Sequence, residues 1–154
     1  MAIKEFLHIS IGISDPEKSV PFYRDTLGFK VIRSTTYKDP GPDKVMDVGE
    51  SEFTVWLMTN GTFRLELIHY AHPKAPPLAA RPKMHHLGLS HLTLGVDDAR
   101  ATMEELKAKG VKVLEHTHGS FEADNPNSMF LFEDPDGFLV EAFTIRPSGE
   151  LPYS

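Results

Sequence analysis

Residues 8–15 read His-Ile-Ser-Ile-Gly-Ile-Ser-Asp, and residues 91–98 read His-Leu-Thr-Leu-Gly-Val-Asp-Asp. The histidine, the glycine and the final aspartate are identical in the two stretches, and the members of each identical pair lie 83 positions apart. Self-similarity at a constant offset is the signature of a duplicated structural unit. The chain is therefore predicted to contain two copies of one module, each opening on a histidine.

Apolar and polar residues alternate along both stretches, which is the period of a β-strand with one packed and one polar face. His8 and His91 fall on the polar faces of these strands. Asp15 with Pro16, and the pair 97–98 in the second copy, predict a helix after each strand, because aspartate caps helices and proline suits their first position. Each helix is expected to end at a glycine, Gly28 or Gly110.

Three further strands are predicted in each copy, with turns at Asn60-Gly61 and at 134–137. In the first copy they cover residues 29–36, 53–58 and 63–68, with additional strand character at 46–48; in the second copy they cover 111–114, 128–132 and 138–143. Segments 37–44 and 122–126 are predicted to be loops. The prolines and glycine of 37–44 argue against a helix or strand interior there.

The closing strands of the two copies also resemble each other. Phe63-Arg64-Leu65-Glu66 and Phe138-Leu139-Val140-Glu141 are both Phe-x-aliphatic-Glu, and each places a glutamate inside an aliphatic strand. If the two modules curve around a shared cleft, His8, Glu66, His91 and Glu141 are expected to meet there. The alternative is that the four lie on solvated sheet faces, but a solvated face has no need of the same residues in both copies.

The predicted fold class is α+β, with two βαβββ modules forming curved mixed sheets around a shared cleft. At 154 residues the chain is predicted to fold as one domain, because a chain of this length buries enough surface to form a hydrophobic core. Module 1 covers about 5–71, a linker with four prolines about 72–87, module 2 about 88–145, and a tail 146–154.

Composition restricts the chemistry available to this chain. There is no cysteine, so a metal ion must be held by His, Asp or Glu. Phosphate-binding, dinucleotide-binding and nucleophile-elbow motifs are absent from the sequence. Ligands of the His/Glu type suit Ni, Co, Zn, Mn or Fe. A divalent metal is therefore the main source of reactivity that the sequence indicates.

Charge and hydropathy indicate the partners. A net charge of −6 without a run of basic residues argues against nucleic-acid and membrane-surface binding. No apolar stretch has the length of a membrane span, and the first residues do not resemble a signal peptide. We expect a cytoplasmic protein whose partner is a small molecule or a second copy of itself.

Two motifs carry a resemblance to a known family. The first is His8-x(6)-Asp15-Pro16-x(2)-Ser19-x(2)-Phe22-Tyr23-x(3)-Leu27-Gly28-Phe29, and the second is Phe132-Glu133-Asp134-Pro135-Asp136-Gly137-x(3)-Glu141. Together with the repeat they resemble the vicinal oxygen chelate superfamily over residues 5–145. That superfamily includes glyoxalase I, methylmalonyl-CoA epimerase, extradiol dioxygenases, and fosfomycin- and bleomycin-resistance proteins.

The resemblance implies four metal ligands, His8, Glu66, His91 and Glu141, a set similar to that of bacterial glyoxalase I. It also implies a metal-dependent lyase or isomerase that moves a proton next to a carbonyl, with Glu66 or Glu141 as the catalytic group, and a homodimer. Glyoxalase I usually carries an arginine for a glutathione carboxylate four residues after its first ligand, whereas this chain has Gly12 there.

Two alternatives remain open at the level of sequence. An Fe(II) extradiol-type dioxygenase would use His8, His91 and Glu141 and leave Glu66 without a role. A metal-free ligand- or drug-binding protein of the bleomycin-resistance kind would use an apolar, aromatic cleft. Candidate pocket residues come from segments 37–44 and 72–87, while Phe53, Trp56, Met58, Phe130 and Phe132 either line the cleft or, more simply, pack the core.

Overall fold

The computed structural model describes residues 3–38, 40–76, 83–120 and 129–145. The chain divides into two compact units, Met1–Pro77 and Leu78–Ser154. Each unit contains one four-stranded mixed sheet. The α+β class and the two βαβββ modules predicted from the sequence are confirmed. The predicted loop at 122–126, the tail at 146–154 and part of the linker lie outside the described residues.

In the first unit, strand β1 is followed by helix α1, whose last turn continues as a π-helical turn over Phe22–Thr26, and then by three strands interrupted by a second helix. The bounds are β1 Ile9–Gly12, α1 Pro16–Pro21, β2 Lys30–Tyr37, α2 Pro40–Met46, β3 Glu52–Thr59 and β4 Arg64–His72. The second unit contains β5 His91–Val96, α3 Ala99–Ala108, β6 Lys112–Gly119, β7 Met129–Glu133 and β8 Leu139–Thr144.

The two sheets share one topology. Their strand orders are β1-β4-β3-β2 and β5-β8-β7-β6, so the first and last strands of each unit are neighbours. These neighbours pair in parallel, and the register is equivalent: Ser10 faces Glu66 in one unit and Thr93 faces Glu141 in the other. The repeat seen in the sequence is therefore a repeat of strand pairing.

Side chains of the first and third helices cap their own N-termini, as predicted. The Asp15 carboxylate accepts a hydrogen bond from the backbone N–H of Glu17 at 3.0 Å, and the Asp98 carboxylate accepts one from Ala101 at 2.9 Å. Pro16 stands in the first turn of α1, where a missing N–H removes no helical bond. Gly28 and Gly110 both have positive φ (78° and 77°), in the region that ends helices.

Helix α2 occupies residues 40–46, where the sequence predicted the greater part of a loop over 37–44 and the start of a strand over 46–48, and Tyr37 belongs to β2. Both expectations were wrong because Pro40 and Pro42 fall in the first turn, where backbone N–H groups have no intrahelical partner in any case. Asp47 then adopts a positive φ of 54°, and the N–H of Val48 bonds to the carbonyl of Asp43 at 3.1 Å. That bond is the Schellman closure of a helix C-terminus.

One face of each sheet is apolar and buried. In the first unit Met58, Leu65 and Leu67 are fully buried, together with Tyr23 of the helical segment. In the second unit the buried face includes Phe130, Phe132 and Val140, and α3 contacts β6, β7 and β8. Met58, Phe130 and Phe132 are thus core residues. No helix of the described part of the chain is long and apolar enough to cross a membrane.

The turn between β7 and β8 is held by Asp134, whose side chain is buried. Its Oδ1 accepts hydrogen bonds from the backbone N–H groups of Asp136 and Phe138, at 2.9 and 2.8 Å. Gly137 completes the turn with a φ of 85°. The Asp-Pro-Asp-Gly motif thereby fixes the start of β8 and the position of Glu141 in its register.

Replacing Asp134 by alanine leaves two backbone N–H groups without their acceptor. We expect Asp134→Ala to lower the free energy of unfolding by about 2–3 kcal/mol, measured by urea denaturation. Asp98→Ala is the matched control, because it removes one exposed capping bond and costs about 1 kcal/mol. An Asp134→Ala loss no larger than that of Asp98→Ala would contradict the role given to this turn.

Candidate metal centre

Strand pairing in the first unit brings His8 and Glu66 together. His8 immediately precedes β1, and Glu66 lies on the neighbouring strand β4. His8 Nε2 is 3.6 Å from Glu66 Oε1, with side-chain exposures of 38% and 20%. Ser10, the strand partner of Glu66, donates a hydrogen bond from Oγ to Glu66 Oε1 at 2.8 Å. The Glu66 carboxylate is therefore contacted from two positions, one just before β1 and one within it.

The second unit repeats this arrangement with a more buried carboxylate. His91 Nε2 is 3.4 Å from Glu141 Oε2, and their side-chain exposures are 25% and 6%. Ser90 Oγ lies 2.8 Å from His91 Nδ1. In the tautomer that leaves Nε2 free to bind a cation, Nδ1–H donates to Ser90 Oγ. Ser90 thus holds the imidazole with Nε2 directed toward Glu141.

Burial raises the pKa of the Glu141 carboxyl, and the nearby His91 opposes the shift by favouring the charged form. A carboxyl that is removed from water and stands next to one histidine is typical of functional sites. In the middle of an aliphatic strand its charge has a cost for folding, since a buried carboxylate needs a positive partner. The site therefore favours either a proton or a cation at Glu141.

The donor atoms fit a metal of the predicted kind. Two atoms bound to one ion at about 2.0–2.2 Å lie roughly 3.0–3.5 Å apart, and the two His–Glu distances are 3.6 and 3.4 Å. Each unit supplies one nitrogen and one carboxylate. Within the described ranges no group of three or more His, Asp or Glu side chains forms a ligand cluster. That all four residues share one ion stays a prediction.

A cavity of about 360 Å³ adjoins Glu66 in the first unit. Tyr37, Gly41 and Pro42 line it, so the segment for which the sequence predicted a pocket role does contribute to a pocket wall. Phe53, which the sequence left between cleft and core, also lines the cavity.

Several residues around the two His–Glu pairs were not singled out from the sequence. Val45 and Met46 were missed because helix α2 was not predicted. Ser10 and Ser90 were missed as well, although both have a sequence signal. Ser10 lies two positions after His8, on the same strand face, and Ser90 immediately precedes His91.

The duplicated βαβββ unit, with a His–Glu pair at equivalent strand positions, defines a protein of the vicinal oxygen chelate type. A model of the glyoxalase/bleomycin resistance protein/dioxygenase superfamily matches residues 5–142. The chain belongs to this superfamily, as its motifs predicted.

Individual relatives agree with this assignment. The chain is 34% identical over 112 residues to the uncharacterized protein YwkD of Bacillus subtilis, covering 73% of this chain and 77% of that protein. It is 31% identical over 144 residues to a probable lactoylglutathione lyase of Synechocystis, covering 88% and 91%. The solved structure of a glyoxalase family protein from Bacillus cereus superposes with a TM-score of 0.77 at 17% identity, covering 94% and 97%, and shows the shared fold.

The raised pKa of Glu141 predicts how folding of the metal-free protein depends on pH. The folded state holds this proton more tightly than the unfolded state, so the contribution of Glu141 to stability falls as pH rises above the ordinary glutamate value of 4.5. We expect Glu141→Gln to be more stable than wild type near pH 7.5 in the presence of a chelator, with the difference shrinking toward pH 4.

Chemical denaturation across this pH range measures the effect. Glu104→Gln, at a carboxylate on the exposed surface of α3, is the control and should show no comparable pH dependence. A Glu141→Gln variant that is equally or less stable than wild type at every pH would contradict the electrostatic cost assigned to Glu141.

Proposed function

We propose that this chain is a divalent-metal-dependent lyase or isomerase of the glyoxalase I type, transferring a proton next to a carbonyl of a small oxygenated substrate. One observation carries the proposal. A histidine and a glutamate stand within 3.6 Å at the same place of the parallel strand pair in one unit, and within 3.4 Å in the other. A merely solvated sheet face gives no reason for this repetition.

His8, Glu66, His91 and Glu141 would hold the ion, with Ni, Co, Zn, Mn and Fe as candidates. When bound, the ion supplies Lewis-acid polarisation of substrate oxygens. Neighbouring side chains of this protein orient two of these four ligands. Ser10 orients the Glu66 carboxylate, and Ser90 fixes the ring of His91.

The glutamates are the groups that can move a proton. Without a bound cation, burial raises the pKa of Glu141, so this carboxyl, when it is not bound to the ion, could both accept a proton from carbon and return it, which a fully solvated carboxylate does less well near neutral pH. Glu66 is more exposed and accepts a hydrogen bond from the Ser10 hydroxyl. We therefore assign the proton shuttle to Glu141 and keep Glu66 as a ligand of the ion.

The name of the Synechocystis relative makes a glutathione thioester the first substrate to assay. At Gly12, where glyoxalase I usually has an arginine, an added Cβ atom would meet no heavy atom within 4 Å. The position carries no guanidinium, so thiols other than glutathione belong in the same assay. We further expect a homodimer in the cytoplasm, which sedimentation and fractionation would measure.

Metal binding provides the direct test. Protein stripped with a chelator and refilled separately with each candidate ion is expected to bind one divalent ion per chain, measured by elemental analysis and calorimetry. Glu141→Ala and His91→Ala should each lower the affinity roughly 100-fold or more, because each removes a ligand atom. Glu104→Gln, remote from both His–Glu pairs in sequence and exposed on α3, should bind as wild type does.

Two results would overturn the proposal. If wild type binds no divalent ion and Glu141→Ala changes nothing, the chain is a metal-free ligand-binding protein. Oxygen uptake with catechols that is lost in His91→Ala but retained in Glu66→Gln would instead identify an extradiol-type dioxygenase.

Ser90 gives a finer prediction. Removal of its hydroxyl leaves His91 Nδ1 without the partner that sets its tautomer, so Ser90→Ala should weaken metal affinity by about 10–100-fold. The free energy of unfolding of the chelator-stripped protein should change by no more than about 0.5 kcal/mol. Ser90→Thr keeps a hydroxyl and is expected to restore most of the affinity. Equal metal affinities for Ser90→Ala and wild type would contradict the role given to Ser90 in orienting His91.

A further inference from the structure

Glu66 shares its sheet face with an arginine of the edge strand β2. Leu57 of β3 is the register partner of both residues, with Glu66 on one side and Arg33 on the other. Residues that stand directly opposite each other in antiparallel strands project from the same face of the sheet. Because neighbouring strands lie about 4.8 Å apart, the backbones of Glu66 and Arg33 are separated by roughly 10 Å across the sheet.

Two further cationic side chains lie in the next row of this face, toward the hairpin that joins β3 and β4. Thr59 is the register partner of both Arg64 of β4 and Lys30 of β2. Arg64 precedes Glu66 by two residues, so the two project from the same face, roughly 7 Å apart along the strand. Together these three cations form what we call the basic patch, which consists of Lys30, Arg33 and Arg64.

The charges of the basic patch are exposed and have no acidic partner. All three residues are exposed, and none forms an ion pair with a carboxylate among the residues that the structure describes. Three other cations of the first unit are paired at 3.1, 2.7 and 2.6 Å, in the pairs Lys18–Asp15, Arg24–Asp25 and Lys38–Glu52. The chain contains 22 acidic and 16 basic residues, so a shortage of carboxylates does not explain the unpaired patch.

Arg33 is held in a conformation that leaves most of its donors unused. Its Nε donates a hydrogen bond to Thr35 Oγ1 at 2.8 Å. Thr35 lies two positions further along the same strand, on the same face. This bond fixes the guanidinium group and does not use its two terminal amino groups, which are the pair that binds an oxyanion in a bidentate manner.

Protection of a sheet edge explains only part of the basic patch. Charged side chains on an edge strand discourage pairing with another chain, and β2, which carries Lys30 and Arg33, is an edge strand. Strand β4 lies between β1 and β3, so Arg64 has no edge to protect. Its position two residues from Glu66 favours a role in binding at the candidate site.

We propose that the basic patch binds the phosphate group of a substrate whose hydroxyl and carbonyl oxygens lie at the His8–Glu66 pair. The inference rests on the proposed function, because it concerns the same substrate. A phosphate monoester carries close to two negative charges at neutral pH and three acceptor oxygens, which two guanidinium groups and one ammonium group match. The separation between Glu66 and Arg64 suits a short substrate, in which only a few bonds separate the carbonyl from the phosphate.

Two ligands that differ in one phosphate group test the basic patch. Hydroxyacetone and dihydroxyacetone phosphate both carry a hydroxyl next to a carbonyl, and in the second a phosphate ester replaces one methyl hydrogen. Titrations followed by ¹H–¹⁵N NMR, on chelator-stripped and on zinc-loaded protein, report affinity and location together. At low ionic strength we expect the phosphate ligand to bind roughly tenfold more tightly or better in both forms. This preference should shrink as salt is added, because exposed charges are screened.

Substitutions in the basic patch provide the matched mutational test. Arg64→Gln and Arg33→Gln each remove one charge and should each reduce the affinity for dihydroxyacetone phosphate about tenfold. The affinity for hydroxyacetone and the unfolding midpoint should stay those of wild type, because both arginines are exposed and unpaired with carboxylates. Lys18→Gln removes the same charge from an exposed residue of α1 and should preserve both affinities.

Failure of this inference and failure of the proposed function give different results. Equal affinities for the two ligands in wild type, or a phosphate preference that survives both arginine substitutions, overturn the basic patch even when divalent ions bind normally. A preference seen only in the zinc-loaded protein means that the phosphate binds the ion, and it also overturns the patch. A phosphate preference that the arginine substitutions abolish, in a protein that binds no divalent ion, supports the patch and refutes the metal-dependent activity.

Discussion

The parallel pairing between the first and last strands of each unit is the constraint on which the rest of the structure depends. Parallel neighbours cannot be joined by a tight turn, so the chain must cross over one face of the sheet. The helix of the crossover and the apolar residues beneath it occupy that face. The two glutamates lie on the opposite face, where the shared register puts Glu66 beside Ser10 and Glu141 beside Thr93. The histidines that open the repeated stretches then lie next to these glutamates.

Burial of the Glu141 carboxylate costs folding free energy. Glu141 is buried and its pKa is raised, which disfavours the charged form that a ligand or base must adopt. His91 offsets part of this cost, and Ser90 holds the imidazole in place. In the first unit Glu66 is more exposed and is satisfied by Ser10. The two glutamates occupy equivalent positions but different environments, and differing environments are how one residue type takes on two chemical roles.

Several features of the fold could be predicted from residues close together in the sequence. The alternation in the repeated stretches, the capping aspartates Asp15 and Asp98, and the Asp134 turn each depend on residues close in sequence, and the structure confirms them. Helix α2 could not be predicted in this way. Proline is unfavourable inside a helix but harmless in its first turn, and which case applies depends on where the helix begins. The docking of Asp43 on Ser51, eight residues away, contributes to that choice.

The sequence by itself determined that the chain is a duplicated βαβββ unit with a histidine and a glutamate at matched places, because duplication leaves identical residues at a constant offset. It also restricted any metal ligands to His, Asp and Glu. Only the tertiary structure decided which side chains touch within each unit, how deeply Glu141 is buried, and that α2 closes an apolar cavity beside Glu66. Burial and pocket shape arise from residues far apart in the chain, and no local pattern encodes the distance between them.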